Sequence, residues 1–283
     1  MYRITFILLL LSTSLTAQFS LDSLFRSSQL YAVHPAVSLP IIAGGGYAAH
    51  QRLLSLQDKP KLTDADFAAL DRNDVKWIDR VALSRDLDKH KQAIIQSDYI
   101  FNTGQLLPFG LFIWKKYRRD WFDVSLMYLE SQVAQGLFYG YAPFGPTAVD
   151  RFRPSVYYDQ LSQESRSDGN ERNSMFSGHV STAATGFYFF ARMIDDYNPQ
   201  LTGGQRALVY TGATLPSLLM GWLRIKALKH YPTDVFVGLG VGAVSGIGVP
   251  SVHKWWKKRH RSRLALQPMY APGAGGFSLV LHY

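Results

Sequence analysis

The stretch Arg224-Ile225-Lys226-Ala227-Leu228-Lys229-His230-Tyr231-Pro232-Thr233-Asp234 is a polar junction between two apolar runs, 207–223 and 235–252. Three of its side chains suit a phosphate-like anion. Arg224 offers a planar guanidinium fork. His230 carries an imidazole that can attack or move a proton near neutral pH. Asp234, four residues on, is near enough to hold one ring nitrogen if the chain turns. Pro232 favours that turn, because it breaks the preceding helix and disfavours helical geometry at Tyr231. It also suits the first position of a new helix, whose N-terminus favours anions. The same residues read equally as an ordinary polar loop between two membrane or core helices, so the rest of the chain has to decide.

Working outward, apolar and aromatic-rich runs cover 98–114, 122–142, 180–193, 207–223 and 235–252. A membrane helix needs about 17–25 such residues, and several of these runs lie at the short end. They carry Gly, Ala, Ser and Thr at close spacing, as helix interfaces in lipid do. Glu130, a carboxylate inside the second run, is expected to face the bundle rather than lipid. These features give an all-α fold, a helical bundle spanning the membrane. A soluble bundle of fully buried helices is the alternative, because the mean hydropathy is only −0.06.

The chain has 283 residues, enough to bury one large core. It has no cysteine, which excludes disulfides, thiolate metal sites, a cysteine nucleophile and a lipoprotein anchor. Thirty Lys+Arg against 21 Asp+Glu give a net charge of +9. The basic residues cluster: Lys115, Lys116, Arg118 and Arg119 form one group, and Lys254, Lys257, Lys258, Arg259, Arg261 and Arg263 the other. Both follow long apolar runs, where cytoplasmic anchors of membrane helices sit. That placement speaks against nucleic acid as a partner. With both clusters cytoplasmic, segments 143–179 and 224–234 share the outer face, provided that Pro35 to Ala49 does not cross as well.

Four regions are expected. Residues 1–17 read as a secretory signal, with Arg3, an apolar run from Ile4 to Leu11 and a small residue, Ala17, before the cleavage point. Its rival is an uncleaved anchor. Residues 18–97 read as an N-terminal cap region. Within it, Pro35 to Ala49 holds two prolines and Gly-Gly-Gly and is a poor lone span, and Thr63 with Asp66 reads as a helix start. Residues 98–263 form the helical bundle. The tail, 264–283, alternates and carries Pro272-Gly273 and Gly275-Gly276, which suggests a short β-hairpin.

Two further segments fall on the same face as the opening stretch. Arg151-Phe152-Arg153-Pro154 places two guanidiniums just past the 122–142 run, and Ser174-Met175-Phe176-Ser177-Gly178-His179 leads into the 180–193 run. A Ser-Gly-His at a helix start supplies a hydroxyl, approachable backbone N–H groups and an imidazole. Taken singly, the first is a solvated loop and the second a cap with a chance histidine.

In this order and spacing the three segments resemble the type-2 phosphatidic acid phosphatase superfamily, which includes bacterial acid phosphatases and vanadium haloperoxidases. That family carries Lys-x6-Arg-Pro, then Pro-Ser-Gly-His, then Ser-Arg-x5-His-x3-Asp. Arg153-Pro154 matches the end of the first motif, and Ser177-Gly178-His179 the second with Phe176 in place of proline. Arg224, His230 and Asp234 match the third, with Leu223 in place of serine. The wording around His179 and His230 is similar to an exported branch found in Bacteroidetes-type bacteria. One departure stands out: the first-motif lysine position holds Pro146, and Arg151 or Lys226 is the expected substitute.

The resemblance implies a phosphatase needing no metal and no cofactor. His230 would attack phosphorus and Asp234 orient its ring. Arg153, Ser177, Gly178 and Arg224 would bind the phosphate oxygens, and His179 would act as general acid and then base. In a membrane, the substrates implied are lipid phosphates or polyprenyl diphosphates, met at the periplasmic face of a bacterial inner membrane. A soluble periplasmic acid phosphatase acting on small phosphates is one alternative. A non-catalytic membrane relative, suggested by Pro146, is another, and a vanadate-dependent haloperoxidase is the most distant.

Overall fold

A computed structural model of the chain describes residues 28–259, 264–271 and 274–281. The expected signal, residues 1–17, and the basic residues Arg261 and Arg263 lie outside the described residues. Among the described residues, six long helices run up and down: α1 (Pro35–Gln57), α2 (His90–Leu106), α3 (Trp121–Tyr141), α4 (Gly178–Tyr197), α5 (Gly203–Lys226) and α6 (Pro232–Arg259). Their ends follow local chemistry. Pro35 opens α1, where a missing N–H costs nothing. Ser177 caps α4, and Thr202 and Gln205 form a capping box at α5. The same reciprocal box, Thr63 with Asp66, starts the short helix Asp64–Ala68, as the sequence suggested.

α4 is the hub. Its Val180, Ala183, Ala184, Phe187 and Ala191 belong to one buried cluster with Met220, Tyr231 and Val235. α6 lies against it along Gly238, Gly242 and Gly246, four residues apart and so on one helix face. A Cβ at Gly242 would come within 2.5 Å of the Ala184 Cβ, and one at Gly246 within 2.4 Å of the Thr185 carbonyl oxygen. Contact this close between two helix backbones is open only to glycine.

The stretch read as a poor lone span lies in α1, which is helical but not among the helices apolar enough to cross a membrane by length and composition. α1 is a 23-residue helix that tolerates Pro40 and packs lengthwise on α3. Gly45 meets Val133, and Gly136 of α3 meets Ala49, so small residues act here as contact surface rather than as breaks. Glu130 is 6 % exposed and bonds to Nε2 of His253 on α6, so it faces the bundle.

Of the five apolar runs, only one helix among the described residues, Pro232–Arg259, is long and apolar enough to cross a membrane by length and composition. The others carry polar groups inside their turns, such as Asp98 in α2, Asp123 in α3, Asp195 in α4 and Arg206 in α5, which shorten the apolar window.

The two ends of the bundle differ. At one, Tyr31 donates to Asp196 at 2.8 Å, the Ser28 N–H donates to Asp123 at 2.8 Å, and Lys254 bonds to Asp196. Lys115, Lys116, Arg118, Arg119 and Lys254 surround one cavity there, so the two basic clusters meet. At the other end lie Arg153, His179 and His230. The segment between α1 and α2 covers this second end, with buried Asp79 reaching the N-terminus of α6. Beyond the bundle, strands β1 (Leu264–Ala271) and β2 (Ala274–Leu281) pair antiparallel, with Leu264 opposite Leu281.

Candidate active site

The three sequence segments converge on a cavity of about 690 Å³ at the covered end, lined by Arg153, Gly178, His179 and His230. Ala49, Leu53, Leu56 and Phe101 give it an apolar wall. Each motif is fastened by the backbone of another. The Ser177 N–H donates to the Asp234 carbonyl (3.1 Å), and the Ser155 N–H to the Leu228 carbonyl (3.1 Å). Leu228 takes a left-handed conformation (φ 59°). This turn reverses the chain between α5 and α6 and sets His230 beneath the cavity. Gly178 is required by space: a Cβ there would lie 2.9 Å from the Tyr139 ring.

The two guanidiniums are buried and poorly paired. Arg153 is 8 % exposed and Arg224 is 5 % exposed. Arg153 reaches Glu171 at 3.5 Å and Asn170 at 3.4 Å, the outer edge of hydrogen bonding. Arg224 has Ser97 at 3.3 Å and Asp98 at 4.0 Å. The Nε of each has no hydrogen-bond partner among the described residues. Buried donors are normally satisfied, so two under-used buried cations beside a cavity mark a place built for an anion.

His230 is 2 % exposed, and its Nδ1 lies 2.7 Å from the carbonyl oxygen of Ser174. A carbonyl only accepts, so Nδ1 carries the proton and Nε2 keeps its lone pair. Burial, then Arg153 and Arg224, hold this imidazole well below its usual pKa, which keeps it neutral. His179 opens onto the cavity, packs against Phe101 with ring centroids 4.8 Å apart and the planes tilted by 42°, and lies 4.0 Å from Asp98. Desolvation lowers its pKa too, followed by the charges of Arg224, Arg153 and Lys229.

Asp234 differs from its expected contact. Its carboxylate is 3.9 Å from His230 Nδ1, beyond hydrogen-bond range. It is fully buried and accepts instead from Arg151, from the Ser174 hydroxyl at 2.6 Å and from the Tyr231 N–H at 2.8 Å. Asp234 therefore fixes Ser174, whose carbonyl fixes His230. Arg151 is likewise not a spare cation, because it spans Asp79 and Asp234 and bonds the Thr233 hydroxyl. Ser174, Asp79 and Glu171 had no role assigned from the sequence, although Ser174 lies inside a motif. No group of three or more His, Asp or Glu among the described residues is placed to hold a metal ion.

The arrangement defines a helical bundle with a histidine pair and buried guanidiniums around one cavity. A family model described as the PAP2 superfamily matches residues 125–258, the span holding all three motifs, and this part of the chain is similar to that superfamily. That likeness points to phosphatase-type activity on phosphate esters. No curated protein and no solved structure matches the chain.

Proposed function

We propose that the protein is a metal-independent phosphatase that works through a phosphohistidine at His230. The observation carrying this reading is the bond from His230 Nδ1 to the Ser174 carbonyl, which leaves Nε2 as a neutral nucleophile in a pocket with buried guanidiniums. In the first half-reaction Nε2 attacks phosphorus, the N–P bond forms and the P–O bond to the leaving group breaks. His179 gives that oxygen its proton. In the second half, neutral His179 takes a proton from water, the water oxygen attacks phosphorus, and the N–P bond breaks to release inorganic phosphate. Arg153, Arg224, the Ser177 hydroxyl and the Gly178 N–H are suited to the oxygens that gather charge on the way, a type of stabilisation worth about 3–4 kcal/mol per donor. His179 starts neutral. The charge of a bound phosphate offsets the cations that depress its pKa, and so supplies the protonated acid that the first half needs.

Lipid phosphates or polyprenyl diphosphates are the proposed substrates, at the periplasmic face of an inner membrane. In support, one wall of the cavity is apolar, and large apolar side chains stand outward on several helices: Tyr47 on α1, Tyr99 on α2, Leu215 on α5 and Val244 on α6 are all at least 60 % exposed. The test is phosphate release by purified protein from lipid and water-soluble phosphates in EDTA, with mapping of the trapped phosphoenzyme. A phosphorylated His230 is expected. A requirement for added Mg²⁺ or Zn²⁺, or label on another residue, overturns the mechanism. Turnover of soluble phosphates alone overturns the substrate class.

A further inference from the structure

We propose that Lys229 is the third cation of the phosphate site, held beside Arg153 by Glu171 and released to the substrate's phosphate when it binds. The inference rests on the phosphatase reading and adds a residue to it. A transferring phosphoryl group has three equatorial oxygens, and two buried guanidiniums leave part of that charge unmatched. Lys229 immediately precedes His230, and its N–H donates to the Arg224 carbonyl at 3.1 Å. Its Nζ is 3.1 Å from Glu171 Oε1, and the same oxygen is 3.5 Å from Arg153. Glu171, 4 % exposed and also bonded by the Ser155 hydroxyl, thus serves both cations. A carboxylate carries one negative charge, whereas a phosphate monoester carries up to two and offers more oxygens. The substrate can therefore outbid Glu171 for the ammonium. Lys229 is also among the cations whose charge reaches His179.

The other cations near the first-motif position are committed elsewhere. Lys59 donates to the Pro146 carbonyl at 2.8 Å and pairs with Asp150 at 3.3 Å. Arg151 is locked between two buried carboxylates. No hydrogen bond or ion pair links Lys226 to a site residue among the described residues. Lys229, by contrast, is 27 % exposed at its side chain, on a flexible stem beside the nucleophile.

The experiment compares wild type with Lys229→Met, Lys229→Arg, Lys226→Met and His230→Ala in full-length protein. Tungstate affinity, kcat/KM for a phosphate monoester and thermal melting are read for each. A charge-assisted hydrogen bond of this kind is worth about 10- to 100-fold. Lys229→Met is expected to lose that factor in both tungstate affinity and kcat/KM with little change in melting. Lys229→Arg should recover most of it, and Lys226→Met should match wild type. Should Lys229→Met fail to fold, tungstate affinity of Lys229→Arg against Lys229→Gln decides, the former retaining and the latter losing it. Wild-type affinity and turnover in Lys229→Met, with His230→Ala inactive, overturn the role of Lys229 and leave the phosphatase standing. Wild-type protein that neither binds tungstate nor releases phosphate overturns both.

Discussion

His230 reaches the cavity with its nucleophilic nitrogen bare because a main-chain oxygen, and not a carboxylate, occupies the other one. Its orientation thus depends on Asp234 at one remove, through Ser174. His230→Ala is expected to abolish turnover and labelling. Asp234→Asn should lower kcat by about 10- to 100-fold while still forming phosphohistidine, because it loosens the hydrogen-bonded support and leaves the imidazole in place. Phosphate release and phosphoenzyme mapping read both. His179→Ala separates from these by substrate: loss of about 10²- to 10⁴-fold with an alkyl phosphate, and much less with an aryl phosphate whose leaving group needs no proton. A pH effect follows from the same ring. In the free protein His179 is unprotonated at neutral pH, and a bound oxyanion raises its pKa. Binding of tungstate, which stays a dianion at pH 6–7, should therefore take up a proton, seen as a buffer-dependent binding enthalpy that vanishes in His179→Ala. At this scale the sequence revealed what is local: Arg224, His230 and Asp234 stand at fixed short intervals. Asp79 meets Thr233 across 154 positions and Glu171 meets Lys229 across 58, and no spacing rule connects residues so far apart.

α6 illustrates which properties of an element the chain announces and which it hides. Its start at Pro232, its apolar run and its basic finish are all visible in order, and so is the capped start of α4 at Ser177. The helix in 35–57 was harder to see, because Gly44-Gly45-Gly46 and Pro40 count against a helix until α3 is there to fill the grooves they leave. The glycines of α6 make the same point as an experiment. Gly240 and Gly242 have the same intrinsic helix cost, yet a Cβ at Gly240 meets nothing within 4 Å, whereas one at Gly242 meets Ala184 at 2.5 Å and the Ser181 carbonyl at 2.6 Å. Gly240→Ala is expected to be neutral or to stabilise by up to about 1 kcal/mol. Gly242→Ala must push α6 away from α4, and overpacking of this kind costs about 1–3 kcal/mol. Thermal melting should fall for Gly242→Ala and hold or rise for Gly240→Ala, and equal shifts would show that α4 and α6 do not pack this closely.

Over the whole molecule the site and the paired basic clusters lie at opposite ends of the bundle, which makes sidedness a single question. If the bundle spans a membrane with the clusters cytoplasmic, Arg153, His179 and His230 would face the periplasm. α1 adds a constraint that the sequence reading had made a condition. It begins beside the basic end, where the Ala32 carbonyl accepts from His253, and finishes beside the site, where Leu53 and Leu56 line the cavity. If the bundle spans a membrane, α1 spans it too, and residue 34 lies on the same side as the basic clusters. A secretory leader that carries the chain across, cleaved or kept as an anchor with Arg3 inside, would deliver that residue outside and turn the site toward the cytoplasm, so a translocating leader and an outward site exclude each other. We expect the basic-end rule to prevail, with residues 1–17 not carrying residue 34 across the membrane. Because the chain has no cysteine, single cysteines report cleanly. At positions 159 and 77, on exposed loops of the site end, they should react with an impermeant maleimide in cells whose outer membrane has been permeabilised. Cysteines at 116 and 258 should react only after the inner membrane is broken. Labelling in the reverse pattern, together with loss of residues 1–17 from the mature protein, would place phosphate hydrolysis on the cytoplasmic face. Equal labelling at all four positions, in protein that washes free without detergent, would remove the membrane from the account and leave a soluble phosphatase.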